Sequence, residues 1–187
     1  MFISIGVDCG MADFLKQNNL REFSCPFDWV VSYDGISESI DDNFKDFIPN
    51  NNTKKNIYDT NFPHYEFTTQ EEITYNRRIS RLINFLENTK EEVIFCRKGH
   101  AYHNHSEQNC ISDIDIAEKL DLVLHKKYPN LKYKIIVILV CGVCFDSNKE
   151  YTSTSKKINI YNIATPEVDN SKFENFAYNL FILNNHK

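Results

Sequence analysis

Glycine and proline are scarce in this chain, with five of each among 187 residues. Their scarcity excludes collagen-like and proline-rich low-complexity chains, and 42% hydrophobic with 13% aromatic content excludes a chain too polar to bury a core. Positive charge is not in surplus: 21 basic against 26 acidic residues leaves a net charge of −5, which argues against broad binding to nucleic-acid phosphates. No apolar run reaches the roughly 18 residues needed to cross a bilayer; the longest, Ile135 to Val143, is far shorter. The N-terminus lacks a basic region and its apolar run stops at Asp8, so no signal peptide is expected and the expected compartment is the cytoplasm. A glycine-rich phosphate loop and a dinucleotide fingerprint are both missing, and no cofactor is expected.

What is present is enough chain for one domain spanning residues 1–187 and a sizeable core. Six cysteines stand at positions 9, 25, 96, 110, 141 and 144. Without a secretion signal, reduced thiols are the expected state, several of them acting as small buried hydrophobes in apolar strands. Cys141-Gly142-Val143-Cys144 has redox spacing, but it ends an apolar strand rather than opening a helix, so buried strand cysteines are the simpler reading.

The chain alternates between short apolar runs and helical periodicity. Phe2 to Val7 reads as a strand and Met11 to Gln17 as a short helix. Ser37 is the expected N-cap of a helix from Glu38 to about Phe47. Thr69-Gln70-Glu71-Glu72 has capping-box spacing and opens a long helix to about Asn88. Glu92 to Arg97 and Tyr133 to Cys141 read as buried strands, with a helix from Asp113 to Lys127 between them. A partly alternating strand, Lys157 to Ile163, precedes an aromatic-rich helix from Lys172 to Leu183. This order predicts an α/β fold: a mostly parallel sheet of about four to five strands with helices on both faces. In such folds ligands bind beyond the carboxyl ends of the strands.

Two segments fall on that rim. The first is Gly6-Val7-Asp8-Cys9-Gly10, a glycine-flanked turn entering the first helix. A thiol at Cys9 would meet the positive end of the helix dipole, which favours thiolate; the bland alternative is a small residue closing the turn. The second is the loop after Arg97, which holds His100, His103 and His105, half of the six histidines. Their spacing in a short loop matches no strong zinc signature, so no metal is expected, and substrate contact and a solvated loop both stay open. Arg97 at the strand end is the best anion anchor. Between the two segments, Pro26-Phe27-Asp28-Trp29 forms an aromatic loop, because proline disfavours a central strand.

With these residues in view, the chain resembles microbial domains labelled papain-like cysteine peptidases, a family of poorly established function. The resemblance rests on Ile3-Ser4-Ile5-Gly6-Val7-Asp8-Cys9, Ala12, Leu15, Leu20-Arg21, Pro26-Phe27-Asp28-Trp29, Phe62-Pro63-His64, Arg77-Arg78 and Arg97, and so covers roughly residues 2 to 97. It implies Cys9 as nucleophile and His64 as its general base, with Asp28 available to orient the imidazole; alternatively Asp28 accepts backbone amides in the turn after Pro26. A papain fold sets its cysteine helix against an antiparallel barrel, whereas the alternation here predicts parallel strands. Ile5-Gly6-Val7-Asp8-Cys9 also resembles the first block of SGNH-type esterases, with Cys9 at the position of their serine.

The leading expectation is a cysteine-dependent hydrolase or acyl-transfer enzyme acting on a small-molecule, glycan, acyl-sugar or peptide substrate. Cys9, His64 and Asp28 are its catalytic candidates; Asp8, Gly10, Trp29, Arg97, His103 and His105 are its substrate contacts, with amides near Gly10 stabilising an oxyanion. The runner-up is a non-catalytic or transferase-like module that binds an anionic sugar or nucleotide through Arg97 and the histidine loop.

Overall fold

A computed structural model describes residues 1–49, 53–66, 68–99, 107–141, 150–164 and 170–183. Four strands, β1 (Phe2–Ser4), β2 (Val93–Lys98), β3 (Tyr133–Cys141) and β4 (Ile158–Ala164), pair in that spatial order, and every pairing is parallel. The helices are α1 (Gly10–Gln17), α2 (Ile36–Asp41), α3 (Thr69–Asn88), α4 (Glu107–Lys127) and α5 (Asn170–Tyr178), the last running on into a π-turn, Asn179–Leu183. The α/β sheet expected from the alternation is therefore present, with four strands.

Successive strand residues face opposite sides of a sheet, and both sides are apolar here. On one side, Val93, Phe95 and Val137 pack with Leu82 of α3 and Leu120 of α4. On the other, Cys96, Ile136 and Ile138 pack with Met11 and Phe14 of α1 and Phe173 of α5. This two-sided burial explains why β3 reads as an unbroken apolar run. Among the described residues, no helix is long and apolar enough to cross a membrane.

The connections diverge at the carboxyl ends of β1 and β2. The chain leaving β1 enters α1 on one side of the sheet, whereas the chain leaving β2 leads to α4 on the other. Cys9, in the turn after β1, and Lys98, the last residue of β2, lie at these neighbouring carboxyl ends.

Several helix starts differ from the sequence expectation: α4 begins at Glu107, six residues before Asp113, and α5 at Asn170, two before Lys172. Helix α2 begins at Ile36, and its N-cap is Gly35 rather than Ser37. Gly35 adopts φ +80°, and a Cβ there would stand 2.1 Å from the Tyr58 carbonyl oxygen, so only glycine fits. The helix stops at Asp41 instead of Phe47 because Asn43 and Phe44 take left-handed conformations, turning the Phe44 ring onto Phe27 and Phe47. In α3 the capping box is real but one residue earlier: Thr68 caps, and Glu71 reaches back to it.

Arg97 is buried at 0% exposure rather than exposed at the rim. Its Nε donates to Asp113 Oδ1 of α4 at 2.6 Å, Nη1 to the carbonyls of Ile5 (3.1 Å) and Ser32 (3.4 Å), and Nη2 to that of Tyr33 (3.0 Å). One guanidinium thus joins β1, β2, α4 and the segment before α2. Gly99 lets α4 come this close, since a Cβ there would stand 2.6 Å from Asp113 Oδ2.

A second buried pair shapes the Pro26 loop. Asp28 accepts from Arg21 Nη1 and, at 2.9 Å, from the Cys25 amide. Phe27 beside it packs on Phe44 and Phe47. Burial pushes the Asp28 carboxyl up to about 6 from an ordinary 3.8, against the downward pull of Arg21 and the Cys25 amide.

Removing one partner of the Arg97–Asp113 pair leaves an uncompensated charge in the core, so Arg97→Met and Asp113→Leu should each cost about 3–5 kcal/mol in urea unfolding. The double variant should cost clearly less than the two single losses added together, because neither charge is then stranded; strict additivity would show that the pair is not coupled. For Asp28, the folded state holds the proton more tightly than the unfolded chain. The stability this contributes is full below about pH 4 and is lost as the pH rises through about 6. The unfolding free energy of wild type minus that of Asp28→Asn should therefore fall by roughly 3 kcal/mol between about pH 4 and pH 7. A difference that stays flat or rises over that range would contradict a raised carboxyl.

Candidate functional site

Beyond the last residue of β1 the ladder continues for one more bond, from the Ile5 amide to the Cys96 carbonyl at 2.9 Å. Gly6 then lets the chain fold back tightly: a Cβ there would stand 3.1 Å from the Asp8 carbonyl oxygen and 3.5 Å from Met11 Cβ. This turn delivers Cys9 to the N-cap of α1. The Cys9 carbonyl accepts from the Asp13 amide at 2.9 Å, and its side chain makes no capping bond. Of the three free cysteines with described side chains, Cys9 alone is partly exposed. Cys25 and Cys96 are buried, and burial pushes both thiols well above their ordinary range.

The neighbours of Cys9 are charged. Asp8 Oδ1 accepts from the Gly10 amide at 2.8 Å, and Asp8 Oδ2 lies 3.6 Å from Lys98 Nζ. Lys98, the last residue of β2, is 2% exposed and its ammonium sits 4.9 Å above the Phe173 ring of α5. Burial pulls the Lys98 ammonium below its ordinary range, and Asp8, Cys9 and Glu174 oppose that pull. Gly10 makes room for this arrangement, because a Cβ there would stand 3.0 Å from both Asp8 Oδ1 and Lys98 Nζ. The first amide of α1 is thus already bonded to Asp8. Met11 and Ala12, the next two residues of α1, are fully buried against the sheet.

The structure brings together Asp8, Cys9 and Gly10, and adds Lys98. The other candidates stand elsewhere. His64 is exposed, in a segment whose Phe62 and Tyr65 pack on the α3–α4 side of the sheet, opposite α1. No hydrogen bond among the described residues joins His64 to Cys9 or to Asp28. The Asp28 carboxylate is instead engaged by Arg21 and the Cys25 amide. Trp29 is partly exposed with Lys16 Nζ 5.8 Å from its ring centroid, and Lys16 lies in the last turn of α1, the end away from Cys9. Arg97 is held in the core by Asp113 and three carbonyls, which removes the anchor of the anion-binding alternative. His100, His103, His105 and Cys144 lie outside the described residues.

Lys98 is the residue that sequence reasoning missed, yet a signal was available. Two consecutive basic residues end an otherwise apolar strand, and consecutive strand side chains face opposite sides. If Arg97 faces one helical layer, Lys98 must face the other, the one that carries Cys9.

No curated protein and no solved structure matches the chain. A family model described as "Putative papain-like cysteine peptidase" matches residues 1–60. The matched part takes in Cys9, Arg21 and Pro26 to Trp29, and it stops before His64 and Lys98. It is the same family that the motifs resemble.

Proposed function

We propose that the protein is a cysteine-dependent hydrolase or acyltransferase with Cys9 as its nucleophile. The observation that carries this reading is the position of Cys9: a partly exposed thiol at the N-terminus of α1, in the turn beyond the carboxyl end of β1. Cys9 stands at the positive end of the helix dipole with the Lys98 ammonium near the same turn, a setting in which cysteines serve as nucleophiles. The match of residues 1–60 to a cysteine-peptidase family model supports the same chemistry. In this reading the Cys9 sulfur attacks an acyl carbonyl at the N-terminus of α1. Water or another acceptor then releases the acyl group from sulfur. Amides, esters and acyl-sugar esters all belong to this substrate class.

Limiting iodoacetamide near neutral pH, followed by peptide mapping, should label Cys9 well before Cys25 and Cys96. Cys9→Ala should abolish the fast label and reduce hydrolysis of p-nitrophenyl acetate to background. Unchanged hydrolysis by Cys9→Ala, with Cys9 no more reactive than the buried thiols, would overturn the assignment.

A further inference from the structure

If Cys9 is the nucleophile, something must hold its charge and move the proton that hydrolysis requires. His64 and Asp28 make no hydrogen bond to each other among the described residues, and Asp28 is committed to Arg21. The ionisable group delivered to Cys9 by the sheet itself is Lys98. Its ammonium lies over the first residue of α1, 3.0 Å from where a Gly10 Cβ would stand, and close enough to Cys9 for the two charges to act on one another. We propose that Lys98 is the acid–base partner of Cys9, an ammonium that keeps the sulfur as thiolate and then shuttles the proton of the reaction. This inference rests on the reading of Cys9 as nucleophile.

The surroundings suit that role. Charged and titratable groups face Lys98 from both flanking elements: Asp8 and Cys9 from the turn between β1 and α1, and Glu174 from α5. Asp8 is itself fixed by the Gly10 amide, so it holds the ammonium at the mouth of α1. The Phe173 ring lies 4.9 Å from the ammonium and covers it from the α5 side, while the residue keeps only 2% of its surface exposed. Desolvation makes the proton of Lys98 easier to give up than that of a lysine in water, the requirement for a group that must act as both acid and base.

The proton balance closes on these two residues. In the proposed cycle the pair reacts as a thiolate and an ammonium. The thiolate attacks the acyl carbon, forming a C–S bond; the C–O or C–N bond to the leaving group breaks, and the leaving atom takes a proton from Lys98. The neutral amine then accepts a proton from water as its oxygen attacks the thioester. The C–S bond breaks, the acid departs, and thiolate and ammonium are restored. Net consumption is one water.

The test uses the intact chain, iodoacetamide as a neutral probe of the thiolate, and p-nitrophenyl acetate as substrate. In Lys98→Met the alkylation midpoint of Cys9 should move up by about one pH unit or more. Near pH 6.5 the label should then form about tenfold more slowly, with the rates converging in alkali. Lys98→Arg keeps the charge but cannot release its proton, so the low midpoint and the acylation burst should survive while steady-state turnover falls about 100-fold. That split would not arise from a merely structural lysine. Lys98→Gln serves if the methionine variant fails to fold by circular dichroism. Loss of turnover in Cys9→Ala, with unchanged alkylation and turnover in Lys98→Met or Lys98→Gln, would overturn the role of Lys98 and leave Cys9 standing. Full turnover in Cys9→Ala would instead overturn the nucleophile assignment, and the alkylation profiles would then show whether the charge pairing exists without catalysis.

Discussion

A guanidinium with no access to water must find every partner inside the protein, and much of the architecture follows from how Arg97 does so. Its fork reaches Ile5 just beyond β1, the segment before α2 at Ser32 and Tyr33, and the second turn of α4 at Asp113. None of these is a sequence neighbour, and each contact fixes a place where the chain leaves or crosses the sheet. Leaving such a charge unpaired would cost several kcal/mol, so the four segments are tied to one arrangement. The pair adds specificity of geometry to a core that apolar burial alone would leave free to slide.

The next residue, Lys98, shows what that arrangement positions. Period-two alternation sends Arg97 into the α4 layer and Lys98 into the α1 layer from one strand end. The carboxyl end of β2 therefore carries two buried cations with different tasks. Arg97 makes charge-assisted bonds in a fixed fork, and its proton is never released. Lys98 sits beside the Asp8 carboxylate and a partly exposed thiol, with an ammonium whose proton is easier to lose. Scaffold and chemistry are separated by one residue of register.

This register also explains what could be read from the sequence. Element type and order were legible, because β3 is apolar on both faces and α3 carries a capping box; even the boundaries of β3 and the end of α3 agree with the periodicity. Helix α2 was misread because its start depends on Gly35 meeting the Tyr58 carbonyl and its end on left-handed residues, neither of which leaves a periodic trace. For the site, the turn chemistry around Cys9 was visible, since glycines flank it and an apolar run precedes it. The alternative reading of Asp28, an acceptor of backbone amides in the Pro26 turn, holds through the Cys25 amide. Its Arg21 partner and the burial of Arg97 were not legible, because a motif shows which residues occur together without showing which of them touch. The structure resolves that ambiguity physically: the Leu20-Arg21 and Pro26-Phe27-Asp28-Trp29 blocks go together because Arg21 and Asp28 form an ion pair.

Much of the motif set is thus scaffold, and the residue pattern narrows to Asp8, Cys9 and Gly10 as the part with chemistry to spare. Asp8 decides how a buried ammonium can be stored beside a cysteine at all. An isolated buried cation would lose its proton or draw in water. Asp8 meets that demand while its other oxygen is held by the Gly10 amide, so it cannot swing away to solvent without losing that bond. Lys98 is thereby kept near Cys9 before any thiolate exists, and forming the thiolate adds a second anion to a site already arranged around a cation. Charge placed in advance needs no rearrangement when the sulfur ionises, which is the condition under which electrostatics contributes most to a reaction. Gly10 is the steric counterpart of the same design: any side chain there would occupy the space into which the carboxylate and the ammonium converge.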